Sequence, residues 1–428
     1  MAVKKAKVYD VAIIGGGPAG LMAAGIAAER GNKVILLEKN EILGKKLLIS
    51  GGGRCNITNV NPNHRDFVSK YGKKGNFLFT PFSIFGVPET VKFFNDLGVP
   101  TKVENNFRAF PESDKSSDVL NALVKFAEKN KVEFRIGAEV AKFKKLKPAR
   151  TSGGGNKITA VVLSSKEVIE AKSFILASGG KSHPETGSTG DGFEWLKDLG
   201  HNVIDSAPAL VPIKIKESWI AELSGISVDN AGLSVWIEEN NNWKKVLSKK
   251  GRFLFTHVGL TGPTVLNMSK EVGEYLDYDE VKLAIDFYPG AGLDQMHEMV
   301  LKNFEANLNK KVKNLVFKEI PTKVFDIMLK QLEIDGDWMV NELLREMRFA
   351  LVEKFKRFEM TVAGLLGVDK AVVTSGGLDL SEVDFKTMRS KIFDNLYFAG
   401  DILDFDRPSG GFSLQLCWTT GYVAGKAV

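Results

Sequence analysis

Apolar and polar positions along this chain follow two periods, and their alternation divides it into segments. Val11–Ile14 is a continuous apolar run, the pattern of a strand buried on both faces of a parallel sheet. A glycine turn follows, then LMAAGIAAERG with helical character, then the apolar run NKVILLEK ending on Glu38. Residues 41–59 (EILGKKLLISGGGRCNITN) read as a short apolar strand or turn before three glycines and a polar cluster. Residues 88–98 and 116–130 have the helical period, the second opening on Ser116 and Ser117 as caps, and FRAFPESD at 107–114 reads as a strand and turn. Three strand-like runs follow: VEFRIGAEVAKF, KITAVVLSS after a glycine hairpin at 153–155, and EAKSFILASGG.

From Ala207 to Pro289 short alternating runs (LVPIKI, LSVWIEE, GRFLFTHVG, VKLAIDFY) predict an inserted antiparallel β domain. From Leu293 to about Glu353 the period becomes helical, predicting a small helical domain. Strands are expected at 355–363, 371–374 and in NLYFAGD at 395–401, then a helix from about Ser413. The expected division is 1–206, 207–290, 291–354 and 355–428, an α/β fold of Rossmann type interrupted by two insertions.

The first segment carries the chemistry. Gly15, Gly17 and Gly20 have the G-x-G-x-x-G spacing: a tight turn, close approach of a pyrophosphate, and close packing of helix on strand. Pro18 sits where its missing N–H costs nothing, and Gly31 is a natural stop. The helix N-terminus offers N–H groups and partial positive charge to phosphate. Glu38 falls where an acidic side chain takes ribose hydroxyls, favouring a dinucleotide without a 2′-phosphate there.

Composition narrows the class without changing this picture. The 428 residues are 44% apolar and 26% charged, as in soluble globular proteins. The net charge of +6 includes basic clusters at Lys142–Arg150, Lys244–Arg252 and Lys310–Lys318. Aromatic residues are not interleaved with these clusters, so they read as solvated faces and loops and argue against a nucleic-acid partner. Two distant cysteines give no disulfide framework and no metal-ligand spacing. No signal peptide and no membrane-spanning run is present, so a cytoplasmic protein is expected. Oligomeric state is not readable.

The runs GGGPAGLMAA, GKKLLISGGGRCNITN, SGGKSHPETGSTGDGFEWLKDLGH, FTHVGLTGP, TSGGLDLSEVDFKTMRSK and LYFAGDILDFDRPSGGFSLQLCWTTGYVAG span nearly the whole chain. Together they resemble the YhiN/BaiN-like bacterial flavoproteins, also described as aminoacetone-oxidase-family FAD-binding enzymes. The resemblance implies FAD in a discontinuous Rossmann-like domain carrying the β and helical insertions. It implies Gly15, Gly17, Ala19 and Gly20 at the pyrophosphate, and Glu38, with Lys39 beside it, at the adenosine ribose. Lys46, Gly53, Arg54, Cys55 and Asn56 would form a loop by the flavin. Val140 would meet adenine through its backbone, Ser178 and Gly179 would make a second dinucleotide contact, and Asp401 would accept from the ribitol. Gly411, Phe412 and Leu414 would offer backbone contacts where the last helix aims its N-terminus at the flavin pyrimidine. The family more often has Glu at position 401 and Tyr-Asn at 412 and 413, so a side-chain bond from Asn is not carried over.

Only one dinucleotide turn is present, so NAD(P)H, if used, docks transiently. The leading expectation is an NAD(P)H-dependent reductase of an activated carbon–carbon double bond in a small organic substrate. An amine or amino-ketone oxidase using dioxygen, and a redox-responsive flavoprotein binding nucleic acid through the basic helical insert, are the alternatives. His257 in FTHVGLTGP is a candidate proton donor or orienting group, against a histidine buried in the β domain. Cys55 and Cys417 read as redox thiols or as packed cysteines, and Arg108 as an anion holder or an ion-pair member. Trp418 and Tyr422 read as core.

Overall fold

The computed structural model describes residues 8–146, 156–239, 242–276, 280–366 and 373–428. The glycine hairpin at 153–155, the end of the first basic cluster and residues 371–372 lie outside them. The chain forms two compact units, Met1–Ala207 with Val373–Val428, and Pro208–Val372.

In the first unit β1 (Tyr9–Ile14) pairs in parallel with β2 (Val34–Glu38) on one side and β9 (Val168–Leu176) on the other. Beyond β2 lies β6 (Glu133–Ile136), and beyond β9 lies β20 (Leu396–Phe398), both parallel. Two short antiparallel strands, β19 (Arg389–Ser390) and β18 (Val383–Asp384), finish that edge. An antiparallel ribbon of β7 (Val140–Lys145) and β8 (Ile158–Leu163) joins through β8 to β9. A small sheet orders β3 (Thr58–Asn59), β5 (Arg108–Pro111) and β4 (Thr101–Glu104), and β10 (Val203–Ala209) pairs with β17 (Val373–Leu378).

Helix α1 (Pro18–Glu29) is apolar all round because it is covered all round: the sheet lies beneath it, and α6 (Ser116–Lys129) and α13 (Phe412–Ala427) pack against it. Small residues permit this approach. A Cβ on Gly25 would lie 2.4 Å from the Phe126 ring, and on Gly421 or Gly425 2.5 or 2.6 Å from the Ala19 or Ala23 carbonyl oxygen. Short helices α2 (Lys45–Ile49), α3 (His64–Ser69), α4 (Phe79–Ile84), α5 (Val87–Asp96) and α7 (Asp191–Leu199) complete the unit.

The second unit is a closed antiparallel barrel. Its strands are β11 (Ile213–Ile215), β12 (Ser227–Glu239), β13 (Asn242–Thr256), β14 (Gly259–Thr261), β15 (Val281–Asp286) and β16 (Phe358–Leu365), closed in the order β11-β14-β13-β12-β15-β16. Alternate positions point inward, among them Leu233, Val235, Phe253, Phe255, Leu283, Ile285, Met360 and Val362. Helices α8 (Pro263–Leu266), α9 (Ser269–Leu276), α10 (Leu293–Glu305), α11 (Thr322–Gln331) and α12 (Arg345–Lys356) surround it.

Several expectations change. The β domain (207–290) and helical domain (291–354) read from sequence are one body, because Met296, Val300, Phe325, Leu351 and Phe355 share a single core with the barrel strands. The polar run Lys244–Lys250 is the first half of β13, with outward lysines; register along β12 carries it beyond the apolar period. Of the strand or turn read before the three glycines, residues 45–49 form a helical turn. Ser116 and Ser117 do not cap α6: the Ser116 hydroxyl donates to the Leu48 carbonyl (2.7 Å). Among the described residues no helix is long and apolar enough to cross a membrane.

The α1–α13 contact sets a test. Gly421→Leu forces a side chain into the α1 backbone and is expected to cost about 1–3 kcal/mol or more. Gly290→Ala, whose Cβ would meet nothing within 4 Å, should stay within about 0.5 kcal/mol. Thermal melts of the two variants check this.

Candidate functional site

The C-terminal ends of β9, β1 and β2 form a crest above the sheet, and the glycine turn occupies its centre. Gly15 has φ +107, and a Cβ there would lie 2.4 Å from the Ala177 carbonyl oxygen; on Gly20 it would lie 1.9 Å from the Gly15 oxygen. Neither position tolerates a side chain. Gly17 is the opposite case, with nothing within 4 Å of its Cβ position, and no side chain caps α1. The first turn of α1 therefore keeps backbone N–H groups that no side chain caps.

Glu38 is buried, and its carboxylate is already engaged. Oε2 accepts from Gly16 N (2.7 Å), and Oε1 accepts from Asn40 N (2.8 Å) and Asn40 Nδ2 (2.7 Å). A carboxylate offers about four acceptor sites, so ribose hydroxyls would join this set, not replace it. Asn40 also donates to the Thr186 carbonyl (3.1 Å), tying β2's end to the segment after β9. Val140 is buried at the start of β7, just beyond Ala138, whose N–H donates to the Glu38 carbonyl (2.8 Å). Ser178 and Gly179 follow β9 directly. The Ser178 Oγ is buried with no hydrogen-bond partner, and Gly179 has φ +78.

Lys39 follows the end of β2 directly. Its ammonium donates to Asp191 Oδ2 (2.6 Å) and Thr189 Oγ1 (2.5 Å). Lys46 donates to Ser182 Oγ (2.9 Å). Burial lowers its pKa, while the nearby Asp401 carboxylate opposes that shift. Asp401 itself pairs with the buried Arg407 (3.0 Å), and the Cys417 sulfur lies 3.9 Å from the same oxygen. Gly400, at φ +75, lets this turn touch Ala19 on α1. Asp401 thus lies near Lys46, and its turn packs against Ala19.

The loop over 50–56 behaves differently. Gly51, Gly52 and Gly53 all have positive φ, and Gly52 meets open space. Arg54, expected beside the flavin, is held by Glu104 and Asp114 and lies over the Phe110 ring (4.2 Å). These partners raise the guanidinium pKa and hold both carboxyls below their usual range. Cys55 is fully buried at φ +62, and burial pushes its thiol up to about 12. Cys417 is raised further by burial and by Asp401. Both are packed cysteines, without thiolate character.

Asn56 reaches the start of α13. In the amide orientation that satisfies its neighbours, its oxygen accepts from Gly411 N (3.0 Å) and its nitrogen donates to the Thr58 and Ala109 carbonyls. Gly411 has φ +101 and a Cβ position 2.5 Å from Thr58, so the loop and the helix start are pressed together. The Phe412 carbonyl accepts from the buried Tyr71 hydroxyl (2.8 Å), and its ring lies 4.8 Å from that of Phe67; Leu414 is half-buried. Phe67 also lines a cleft of about 650 Å³ with His64, Phe82, Val87 and Lys92.

Sequence reasoning missed the polar network that fixes this helix. Gln415, fully buried, accepts from Thr58 Oγ1 (2.6 Å) and donates to Thr90 (2.8 Å) and Thr419 (3.0 Å). Trp418 donates to the Ile57 carbonyl (2.9 Å) and Tyr422 stacks on Phe85 (4.2 Å), so both belong to the core. A glutamine inside an apolar helical run was the available signal for Gln415. Arg108 donates to the Asn105 carbonyl (3.2 Å). His257 is exposed in the two-residue turn between β13 and β14, and is not the buried histidine weighed as its alternative.

An open uncapped turn, an acidic β2 end and a buried unsatisfied hydroxyl at Ser178 fit a bound dinucleotide, and define a Rossmann-type nucleotide-binding unit that closes with a C-terminal strand and helix. The HI0933-like protein Rossmann domain matches residues 9–427, and the chain belongs to that family. It is 31% identical to the 3-dehydro-bile acid delta(4,6)-reductase of Clostridium scindens, over 97% of this chain and 98% of the relative. It is 26% identical to the ribosomal RNA dihydrouridine synthase of Escherichia coli, over 98% and 97%. Among solved structures, the 3-ketosteroid-delta4-(5alpha)-dehydrogenase of Rhodococcus jostii aligns over 100% of this chain and 98% of its own at a TM-score of 0.52 and 14% identity, a likeness of fold. A flavocytochrome c3 fumarate reductase aligns over 99% of this chain and 78% of its own, also at 0.52, with 16% identity. The chain is an FAD-dependent oxidoreductase.

The thiols give a test. A thiol whose folded pKa is raised stays protonated while the unfolded chain ionises, so its contribution to stability is intact below the unfolded pKa and falls as pH rises above about 9. Native protein should leave Ellman's reagent uncoloured near pH ~8, release two equivalents only on unfolding, and lose melting temperature above about pH 9 more slowly once both cysteines are replaced by alanine.

Proposed function

We propose that the chain reduces a carbon–carbon double bond conjugated to a carbonyl, with NAD(P)H as the electron donor. The observation that carries this reading is the full-length similarity to two relatives whose names share one chemical change. A delta(4,6)-reductase saturates a conjugated dienone, and a dihydrouridine synthase saturates the uracil double bond next to its carbonyl. Bound FAD supplies the hydride transfer.

The chain's own residues would bind, orient and protonate. Gly15, Gly17, Ala19 and Gly20 would hold the pyrophosphate, Glu38 the adenosine ribose, Val140 the adenine, Ser178 and Gly179 the dinucleotide beside β9, and Asp401 with Lys46 the ribitol side. Gly53, Cys55 and Asn56 would support the flavin loop, with Gly411, Phe412 and Leu414 presenting backbone at the start of α13. Gly411 caps that sixteen-residue helix with no side-chain hydrogen bond, so its N-terminal partial charge favours an anionic ring placed there. His257 is the proposed proton donor. The cleft lined by Phe67, Phe82 and Val87 offers room for an apolar substrate body.

A small enone is favoured over a polynucleotide by charge. Residues 208–372 hold 22 basic and 24 acidic side chains, so the helical insert has no cationic excess with which to bind phosphates. The uracil reading is retained because the Escherichia coli relative and its Haemophilus influenzae counterpart, 25% identical over 97% of this chain, are both named ribosomal RNA dihydrouridine synthases.

Anaerobic stopped-flow separates the readings. NADH or NADPH is expected to bleach the bound flavin, and a steroid or simple enone to restore its colour; restoration by uridine-containing RNA alone would replace the enone with a nucleobase. No bleaching by either nicotinamide, with rapid peroxide formation from an amine, would overturn the reductase reading in favour of an oxidase. His257→Ala is expected to leave bleaching unchanged and slow reoxidation by enone about 10²-fold. Equal rates in both half-reactions would remove its role.

A further inference from the structure

The segment Lys181–Asp191 leaves the end of β9 and returns to the sheet as α7. Four polar side chains after β2, in two pairs, reach it. Lys39 bonds Thr189 (2.5 Å) and Asp191 (2.6 Å), Asn40 bonds the Thr186 carbonyl (3.1 Å), Lys45 bonds the Glu185 carbonyl (2.7 Å), and Lys46 bonds Ser182 Oγ (2.9 Å). In the sheet β9 and β2 are not neighbours; β1 lies between them. A segment that starts after β9 and is fastened to residues after β2 must cross the C-terminal end of β1, where the Gly15–Gly20 turn lies.

The crossing is close at both feet. At the β2 side a Cβ on Gly187 would lie 2.4 Å from Asn40 Nδ2, and at the β9 side a Cβ on Gly179 would lie 3.2 Å from Ser188 Oγ. Gly187 and Gly190 have φ +97 and +88, so the path over the turn is one that side-chain-bearing residues rarely follow. The Lys39–Asp191 pair stands at the surface, its side chains 27% and 38% exposed. Such contacts are individually weak and open without disturbing the core.

We propose that residues 181–191 are a strap over the dinucleotide turn, fastened by Lys39, Asn40, Lys45 and Lys46, which must unfasten for FAD to enter or leave. This rests on FAD binding at that turn. Lys39 and Asn40 act as positioning residues through the strap; they set the rate of exchange more than the affinity.

The test uses the holoenzyme and its FAD-stripped form, following free-flavin fluorescence on release and its quenching on rebinding. Lys39→Glu and Asp191→Lys are each expected to raise release and rebinding rates together by roughly three- to tenfold, with Kd nearly unchanged. The combined exchange Lys39→Glu with Asp191→Lys is expected to return both rates toward the original. Added salt should speed release from the parent protein and leave Asn40→Ala/Lys39→Met nearly insensitive. Unchanged rates in the single variants overturn the strap. So does faster release with unchanged rebinding, which marks Lys39 as a direct cofactor contact. If the parent protein takes up no FAD at all, the flavoprotein reading falls with it, an outcome distinct from a strap that fails while FAD binds.

Discussion

The contact on which the site depends is between backbone atoms. A Cβ on Gly20 would sit 1.9 Å from the Gly15 carbonyl oxygen, and one on Gly15 would sit 2.4 Å from that of Ala177. Glycine at both positions lets α1 start directly on top of β1 with β9 alongside. From that geometry follow the open uncapped helix start at Gly17, the turn at Gly400 that touches Ala19, and the seating of α13 through Gly421 and Gly425. The carboxylate of Glu38 closes the arrangement by accepting from Gly16 N, so the residue read as a ribose contact is also a structural part of the turn.

Much of the nucleotide-binding unit was legible in the sequence, for a physical reason. A strand buried on both faces, a helix of small residues and glycines at fixed spacing are local patterns, imposed by contacts within about thirty residues. The strands β1, β2, β8, β9 and β20 and the helices α1, α5 and α6 follow from them. The capping of α6 was not legible, because Ser116 spends its hydroxyl on Leu48, a partner 68 residues away. The first half of β13 was not legible either, since its lysines face outward from a ribbon that periodicity treats as loop.

The site divides along the same line. Glycines and strand ends mark their own places at the edge of the sheet, while the partners of long polar side chains are set by residues distant in sequence. Arg54 turned to Glu104 and Asp114, and Lys39 to Asp191, because each ion finds its partner through the tertiary fold. The barrel unit shows the converse: its helices looked separate in sequence because their apolar stripes are regular, yet those stripes fill the flank of the barrel core.

Helix α13 carries a consequence for synthesis. It lies between the flank of α1 and the strands that follow, with Gln415, Trp418 and Thr419 bonded to residues 57–90 and the carbonyl of Val428 accepting from Asn32. The nucleotide turn is therefore completed only long after it leaves the ribosome, because its covering helix is separated from it by nearly four hundred residues. Until residues 412–427 emerge, α1 exposes an apolar flank in the nascent chain. The barrel unit is contiguous in sequence and is placed to fold during that interval.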